Sequence, residues 1–578
     1  MTNPQIGVRN LYYAYRAPNG EVWPALQGVD LEIEAGEYVA IIGANGSGKS
    51  TLVRHFNALL LPEQGDVWVE GWNTRDVTAH PLIRQSVGMV FQFPEDQIVA
   101  SVVEEDVAFG LENLGLAESE IRQRVAEMLQ VLGLWEHRQR PSHLLSAGQI
   151  QRLALAGVLA VRPRCLVLDE ATTMLDPQGR MRLLALVEAL NREGITLIHV
   201  THHMDEAARA RRVIVMHRGR IVLDGSPETV FANLDDLESL GLEIPLTLRL
   251  AQQLHIVYAG FPARALQPED LLNDIPPFPG TAKENPIVIS ETTGRVDSTL
   301  IEVKGLAHTY LAGTPMAHTA LRDVNLQVGE GETVALMGAT GSGKSTLLQH
   351  LNGLLLPQRG EVRVGPFKLP ANLDLRQVRQ YAGLLMQNPE VQFFEAYVGD
   401  EVAFAPRQMG VKNLRERVRW ALDIVGLDFE TYKDRPLFAL SGGERRKVAL
   451  ASVLAMQPKV LLLDEPTAGL DPVSRRGLLL SLRRLKEAGV THVIATHHLD
   501  DLLPLIERVE ILVKGTHWAG GTPRQVFSDS FPLETSGLLT PLFFRIVQRL
   551  HQQGWPVPWV NSEAQLITAV QKALGIGS

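Results

Sequence analysis

Lys49 and Lys344, Gln92 and Gln387, Ser146 and Ser441, Asp169 and Asp464, and His202 and His497 are pairs of identical residues, each separated by 295 positions. Tyr15 and Tyr310 keep the same spacing, so the register holds over nearly 190 residues. Further on the separation becomes 296, pairing Gly225 with Gly521, Pro227 with Pro523, Pro245 with Pro541 and Arg249 with Arg545. Solenoid repeats recur every ~20–50 residues, far below this period. The 578-residue chain is therefore two whole domains in tandem.

The spacing divides the chain into a first domain at 1–225 with a C-terminal addition at 226–275, then a linker at 276–300. A second domain at 301–521 follows, with its own addition at 522–578. The linker is rich in Pro, Gly, Ser and Thr and has no helical period. Extended, the 29 steps from Leu271 to Leu300 span roughly 95–105 Å, enough for the two domains to face each other antiparallel. Within each copy, "EYVAIIG" and "ETVALMG", "CLVLDE" and "VLLLDE", and "TLIHV" and "HVIAT" are apolar runs that read as buried strands. Ile121, Val125, Met128, Leu129 and Leu132 fall at helical spacing, as do Leu414, Val418, Ala421, Leu422 and Val425. Strands alternating with helices predict an α/β fold with a mainly parallel sheet.

Each copy carries G-x4-G-K-[ST]: Gly43, Asn45, Gly46, Ser47, Gly48, Lys49, Ser50 and Thr51 in the first, and Gly338, Thr340, Gly341, Ser342, Gly343, Lys344, Ser345 and Thr346 in the second. Glycines let backbone N–H groups turn inward on phosphate oxygens at a helix N-terminus. The lysines are then placed for the β- and γ-phosphates, and Ser50 and Ser345 for Mg2+. Asp169-Glu170 and Asp464-Glu465 each end an apolar strand. The aspartate suits the Mg2+ shell, and the glutamate suits orienting and deprotonating an attacking water. Two phosphate loops, each after an apolar strand, point to two ATP sites.

"LSAGQ" (145–149) and "LSGGE" (440–444) open a helix 23 residues before each strand-end aspartate, counted from the serine. This pattern resembles the signature of ATP-binding cassette (ABC) ATPases over about 225 residues of each copy. The resemblance implies two tandem P-loop domains, each with a helical subdomain and a short C-terminal helical addition. It also implies that Ser146, Gly148 and Gln149, and Ser441, Gly443 and Glu444, are presented to the nucleotide of the opposite domain. Gln92 and Gln387 resemble the glutamine that senses Mg2+ and the γ-phosphate, and His202 and His497 the switch histidine. Asp176 and Asp471 resemble the D-loop aspartate, while Tyr15 and Tyr310 resemble the aromatic that stacks on adenine, a contact of roughly 1–3 kcal/mol. Two departures stand out: Ala147 replaces a signature glycine, and "ATTMLDP" follows Glu170 where "PTAGLDP" follows Glu465. A methyl at Ala147 could crowd the approach to phosphate. Neither departure removes a charged catalytic group, so both sites are expected to bind ATP and to be capable of hydrolysis, with their relative activity left open. The pairs His202-His203 and His497-His498 suggest a metal site only superficially, since neighbours on one strand end point apart. Cys165, inside an apolar strand, reads as a plain buried residue.

"FQFPEDQIVASVVEEDVAFG" (91–110) and "MQNPEVQFFEAYVGDEVAFA" (386–405) form a second duplicated passage. In ABC ATPases the stretch after this glutamine lines the groove for a membrane partner's coupling helix. These passages resemble the ATPases of energy-coupling factor (ECF) importers of cobalt and vitamins, although Val391 stands at the Asp96 position. The resemblance implies a transmembrane coupling subunit and a substrate-binding membrane subunit as partners, and a peripheral place on the cytoplasmic face of the membrane. Glu105, Asp106, Asp400 and Glu401 are then candidate counter-charges for partner arginines. The sugar-importer ATPase and the tandem ABC proteins of translation or repair are alternatives. The short, mixed-charge linker and the lack of zinc cysteines or long coiled coils weigh against the last two.

A formal charge of −10 disfavours nucleic acid as a partner. One cysteine excludes a disulfide framework. "MTNPQIGVRN" lacks a leader pattern, and no window approaches 18 uninterrupted apolar residues.

Overall fold

The computed structural model describes all residues except 1–3, 17–21, 173–174, 176, 233, 243, 281–297, 315–316, 370–373, 471, 529–532, 534–537 and 577–578. Asp176, Asp471 and most of the expected linker therefore lie outside the described residues. The chain divides into two compact units, Met1–Arg249 and Leu250–Ser578.

The first unit holds a six-stranded sheet in the order Arg220–Gly225, Arg212–His217, Tyr38–Ile42, Thr196–Val200, Cys165–Asp169, Val87–Val90. Only the edge pair at 212–225 is antiparallel; the other neighbours are parallel, with Tyr38 opposite Leu197 and Cys165 opposite both Thr196 and Val87. Tyr38–Ile42, Cys165–Asp169 and Thr196–Val200 are buried at every position, as strands covered on both faces must be. The sequence reading did not anticipate a second sheet, which is four-stranded and antiparallel. Its order is Val22–Ile33, Ile6–Arg16, Gln64–Val69, Trp72–Asn73. The helix Lys49–Phe56 buries Leu52, Val53 and Phe56 completely in the core shared by these elements. Each such side chain contributes about 1.5–3 kcal/mol. Between Val87–Val90 and Cys165–Asp169 the chain builds a helical layer, in which Val103–Asn113 and Glu118–Val131 pack on Ala147–Ala160. Val125, Leu129 and Leu132 of the expected helical stripe are buried there.

The second unit repeats both sheets. Ala382–Leu385, Val460–Asp464, Thr491–Thr496, Thr333–Met337, Arg508–Val513 and Thr516–Gly521 form the six-stranded one. His318–Gly329, Thr299–Tyr310, Arg359–Val364 and Phe367–Leu369 form the antiparallel one. Val398–Gln408 and Leu414–Ile424 pack on the helix Gly442–Leu454.

This unit also takes in residues 250–275, which the sequence spacing groups with the first copy. Pro268–Asn273 packs on the amphipathic helix Leu542–Gln552, with Arg545 paired to Glu269 at 3.0 Å and Arg549 donating to the Leu272 carbonyl at 3.1 Å. Trp555 is the hub of this contact. Its indole donates to the Pro276 carbonyl at 2.8 Å, and its ring meets Tyr258, Phe261 and Phe278 at 5.9, 5.1 and 5.2 Å. Trp555→Ala should cost about 3–5 kcal/mol of the second unit's stability. A urea midpoint for that unit matching wild type would show that the aromatic cluster holds little.

Candidate functional site

In the first unit the strand Tyr38–Ile42 ends in Gly43 and the helix starts at Lys49. A side chain at Gly43 would collide with the Met216 carbonyl and the Ser47 hydroxyl. Gly48 caps the helix at φ 101°, in the left-handed region that favours glycine, and its α-carbon faces the Ala25 carbonyl too closely for a Cβ. Gly338 and Gly343 are constrained in the same way by Ser342, Leu512 and Ala320. Both motifs are thus folded as tight loops that end at a helix N-terminus. Lys49 Nζ donates to the Gly43 and Ala44 carbonyls at 2.8 and 3.2 Å, and Lys344 to Gly338 and Ala339 at 2.6 and 3.2 Å. Asn45 and Thr340 sit exposed on the loop rims. The hydroxyls of Tyr15 and Tyr310, both partly exposed, lie 3.3 and 3.2 Å from Thr51 and Thr346. One aromatic face is thereby left beside each loop.

Ser50 donates to Asp169 at 2.8 Å, which leaves Asp169 Oδ2 buried without a hydrogen-bond partner. Asp464 Oδ1 is orphaned likewise, and Ser345 bonds the same carboxylate. Burial raises the Asp169 carboxyl to about 6, opposed by the Ser50 hydrogen bond and further raised by Glu170. A buried, under-satisfied carboxylate oxygen beside a serine hydroxyl fits a Mg2+ that keeps waters and phosphate oxygens as its other ligands. Among the described residues no cluster of three His, Cys, Asp or Glu side chains could hold a metal alone.

The glutamates are held differently in the two copies. Gln92 Nε2 donates to Glu170 Oε2 at 2.9 Å, while His202 Nδ1 lies 3.5 Å from that oxygen. In the second copy His497 Nδ1 is 2.7 Å from Glu465 Oε1, and Lys344 Nζ is 3.9 Å away. Burial pushes both glutamates up, but the neighbouring histidine and lysine outweigh it and hold them below the usual carboxylate range. Ser146 and Ser441 each cap a helix reciprocally with Gln149 and Glu444. A Cβ at Gly442, the position that matches Ala147 in the repeat, would meet no atom within 4 Å.

The ABC transporter family model matches residues 26–173 and 321–468. The chain belongs to the ABC transporter family. A Bifidobacterium longum protein assigned as an ABC transporter ATP-binding protein is 34% identical over 591 aligned positions, covering 98% of this chain and 72% of its own length. A relative of the same assignment from Caldanaerobacter subterraneus is 34% identical over 563 positions, covering 95% of this chain and 97% of its own. The energy-coupling factor transporter ATP-binding protein EcfA1 of Symbiobacterium thermophilum is 52% identical over 277 positions, 47% of this chain and 96% of its own. Among solved structures, cbiO1 of Clostridium perfringens, part of the ABC transporter complex cbiONQ, is 38% identical. It covers 42% of this chain and 96% of that one at a TM-score of 0.37. With two such domains, this ABC protein is an ATPase.

Two expectations are corrected. Asp106 and Glu401 are not solvated counter-charges. Asp106 is buried and accepts from the Val99 and Ala100 amides at 2.8 and 2.9 Å. Glu401 does the same for Phe394 and Glu395 at 2.8 and 2.9 Å. Burial raises both carboxyls despite these bonds. Only Glu105 and Asp400 stay at the surface, and Asp400 pairs with Arg407 at 3.1 Å. Secondly, His202 and His203 do not point apart: past the strand end at Val200 their rings lie 4.3 Å apart. Cys165 is buried as expected, and burial pushes its thiol up.

The sequence reading missed Gln97 and Gln392. Gln97 accepts from the Phe91 amide at 3.2 Å and donates to the Met89 carbonyl at 3.0 Å; Gln392 does so for Met386 and Leu384 at 3.0 and 2.9 Å. Each thus extends the edge strand with a side-chain amide, and the 295-residue repeat was the signal that could have found them. Asp106→Ala should cost about 1–3 kcal/mol by stranding two amides. Glu105→Ala should stay within about 0.5 kcal/mol. Denaturant midpoints of the two variants check the contrast, and equal effects would reject the amide-holding role.

Proposed function

We propose that this chain is the ATPase subunit of an ECF-type importer, a fused pair of cassettes that energises uptake of a vitamin or transition-metal ion. The observation that carries the reading is the 52% identity to a relative named for the energy-coupling factor transporter, across 96% of that relative's length. In this reading each ATP lies on one phosphate loop, with its adenine on Tyr15 or Tyr310 and its phosphates in the amides around Lys49 or Lys344. Ser50, Asp169 and Gln92, and Ser345, Asp464 and Gln387, hold Mg2+, which supplies charge neutralisation at the phosphates. Glu170 and Glu465 orient and deprotonate water, and His202 and His497 hold the γ-phosphate. The signature residues at 146–149 and 441–444 close over the nucleotide of the opposite copy.

The partners are a transmembrane coupling subunit and a substrate-binding membrane subunit, which place the chain on the cytoplasmic face of the membrane. Among the described residues no helix is long and apolar enough to cross a membrane. The docking surface would be the apolar crest of the duplicated passage. Phe93, Val99 and Phe109 are exposed in one copy, and Val391, Phe394 and Tyr397 in the other. Phe394 stacks on Phe404 at 4.9 Å.

Glu170→Gln with Glu465→Gln should lower ATP turnover by about 10²–10⁴-fold while ATP binding persists. A double variant that keeps more than about a tenth of wild-type turnover would sink the assignment. Phe93→Ser with Phe394→Ser, surface changes worth about 0.5 kcal/mol or less in the isolated chain, should release the protein from membranes carrying its partners. Flotation of variant and wild type reads this directly, and unchanged membrane association would place the docking surface elsewhere.

A further inference from the structure

Five residues after each signature serine the two copies differ: Gln151 in the first, Arg446 in the second. Both are buried. Gln151 Nε2 has no hydrogen-bond partner among the described residues. Both terminal nitrogens of Arg446 are engaged. One terminal nitrogen donates to the carbonyls of Glu465, Pro466 and Ala468 at 2.9, 3.0 and 2.7 Å, and the other donates to the carbonyl of Gln387. A single guanidinium thus ties the helix Gly442–Leu454 to both the loop bearing Glu465 and the residue Gln387. No other side chain offers five donors in a rigid plane.

Those carbonyls belong to a strained segment. Glu465 has φ 46°, a left-handed conformation that costs a residue with a Cβ of order 1–3 kcal/mol and persists only where its surroundings fix it. Its amide is held by the Ala495 carbonyl at 2.9 Å, and Arg446 holds the carbonyl on the other side. Burial lowers the guanidinium to about 10, against the pull of Glu465 and Asp464, so it stays charged at neutral pH.

We propose that Arg446 is a positioning residue for ATP hydrolysis at the second nucleotide site, locking Glu465 and Gln387 in working register through their backbone carbonyls. It acts within its own copy, whereas the proposed function assigns Ser441 on the same helix to the opposite nucleotide. The first copy does without this lock, and there the Gln92 side chain bonds Glu170 directly. The proposal rests on Glu465 serving the second site, and the test separates the two ideas.

The experiment uses the full chain and 8-azido-ATP. Labelling on ice reports binding, and vanadate trapping at working temperature requires hydrolysis. Mass spectrometry assigns label to peptides of the first or second copy. Glu465→Gln is the reference. Arg446→Gln should reproduce its trapping pattern, with trapped label in the second copy down at least about tenfold and label on ice within about twofold. Gln151→Ala should change trapping in neither copy by more than about twofold. Should Arg446→Gln fail to fold, Arg446→Lys takes its place, with an expected loss of at least about threefold. Retained trapping in the second copy overturns the proposal, as does loss of label on ice. A pattern matching that of Ser441→Arg instead would assign Arg446 to the signature and overturn it too. If Glu465→Gln itself traps normally, the assignment of Glu465 fails first, and this inference falls with it.

Discussion

Asp169 and Glu170 lie buried side by side at the end of one strand, where each carboxylate has lost most of its water. Even after relaxation such burial costs several kcal/mol per ion. The surroundings answer by treating the two groups differently. Burial dominates at Asp169 and lifts it to about 6. At Glu170 the nearby His202 and Lys49 outweigh burial and keep it charged. Two adjacent acids are thereby split into one suited to a cation and one suited to a water, the division of labour that shifted acid pairs provide. Sheet order makes this possible. Cys165–Asp169 lies between Val87–Val90 and Thr196–Val200, so Gln92 and His202 leave their strands on either side of Glu170. All these strands are parallel, and the loops at their carboxyl ends open on the same side.

The phosphate loops, the strand-end acids and the helix caps at Ser146 and Ser441 were legible in the sequence because each is local. A glycine that must adopt φ 101° or accept a carbonyl against its α-carbon leaves its mark within eight residues. The all-buried strands were legible for the same reason, since their apolar runs need no knowledge of partners. The antiparallel sheet was not. Ile6–Arg16 alternates imperfectly and pairs with both Val22–Ile33 and Gln64–Val69 through register shifts, so its pattern is set by distant neighbours. Asp106 and Glu401 were misread because the resemblance implied counter-charges for partner arginines, and such carboxylates must face outward. Their function is to collect two amides of a loop that turns back over the helix, and only the folded path brings those amides within 3 Å. The histidine pair was misjudged through a strand rule applied two and three residues beyond the end of Thr196–Val200.

Comparison of the copies shows where a duplicated enzyme is free to drift. The phosphate loops, the serine–aspartate pairs and the amide-collecting acids keep their geometry, with only Asp106 lengthened to Glu401. Divergence concentrates behind the reacting groups. Glu206 is fully buried and accepts from Thr172 and Thr201 at 3.0 and 2.6 Å while pairing with Arg180; the matching Asp501 is shorter and more exposed, and meets Arg475 at 3.1 Å. His199, beside Glu206 at 3.3 Å, is replaced by Ile494 in the second copy. Asp500 instead accepts from the Leu542 amide at 2.7 Å, which ties the segment after His497 to the helix Leu542–Gln552.

Glu170 and Glu465 share the same strained backbone, at φ 52° and 46°, although their supports differ. A strained residue must be over-determined by its neighbours, but nothing requires the same neighbours twice. The first copy braces its glutamate by side chain from Gln92 and stiffens the loops behind it with the charged network around Glu206. The second braces the backbone with Arg446 and the carboxylate with His497. Two solutions to one constraint make the sites unequal in how they respond to change, although the loop lysines, the serine–aspartate pairs, the strand-end glutamates and the paired Gln92/Gln387 and His202/His497 are the same residue types in both.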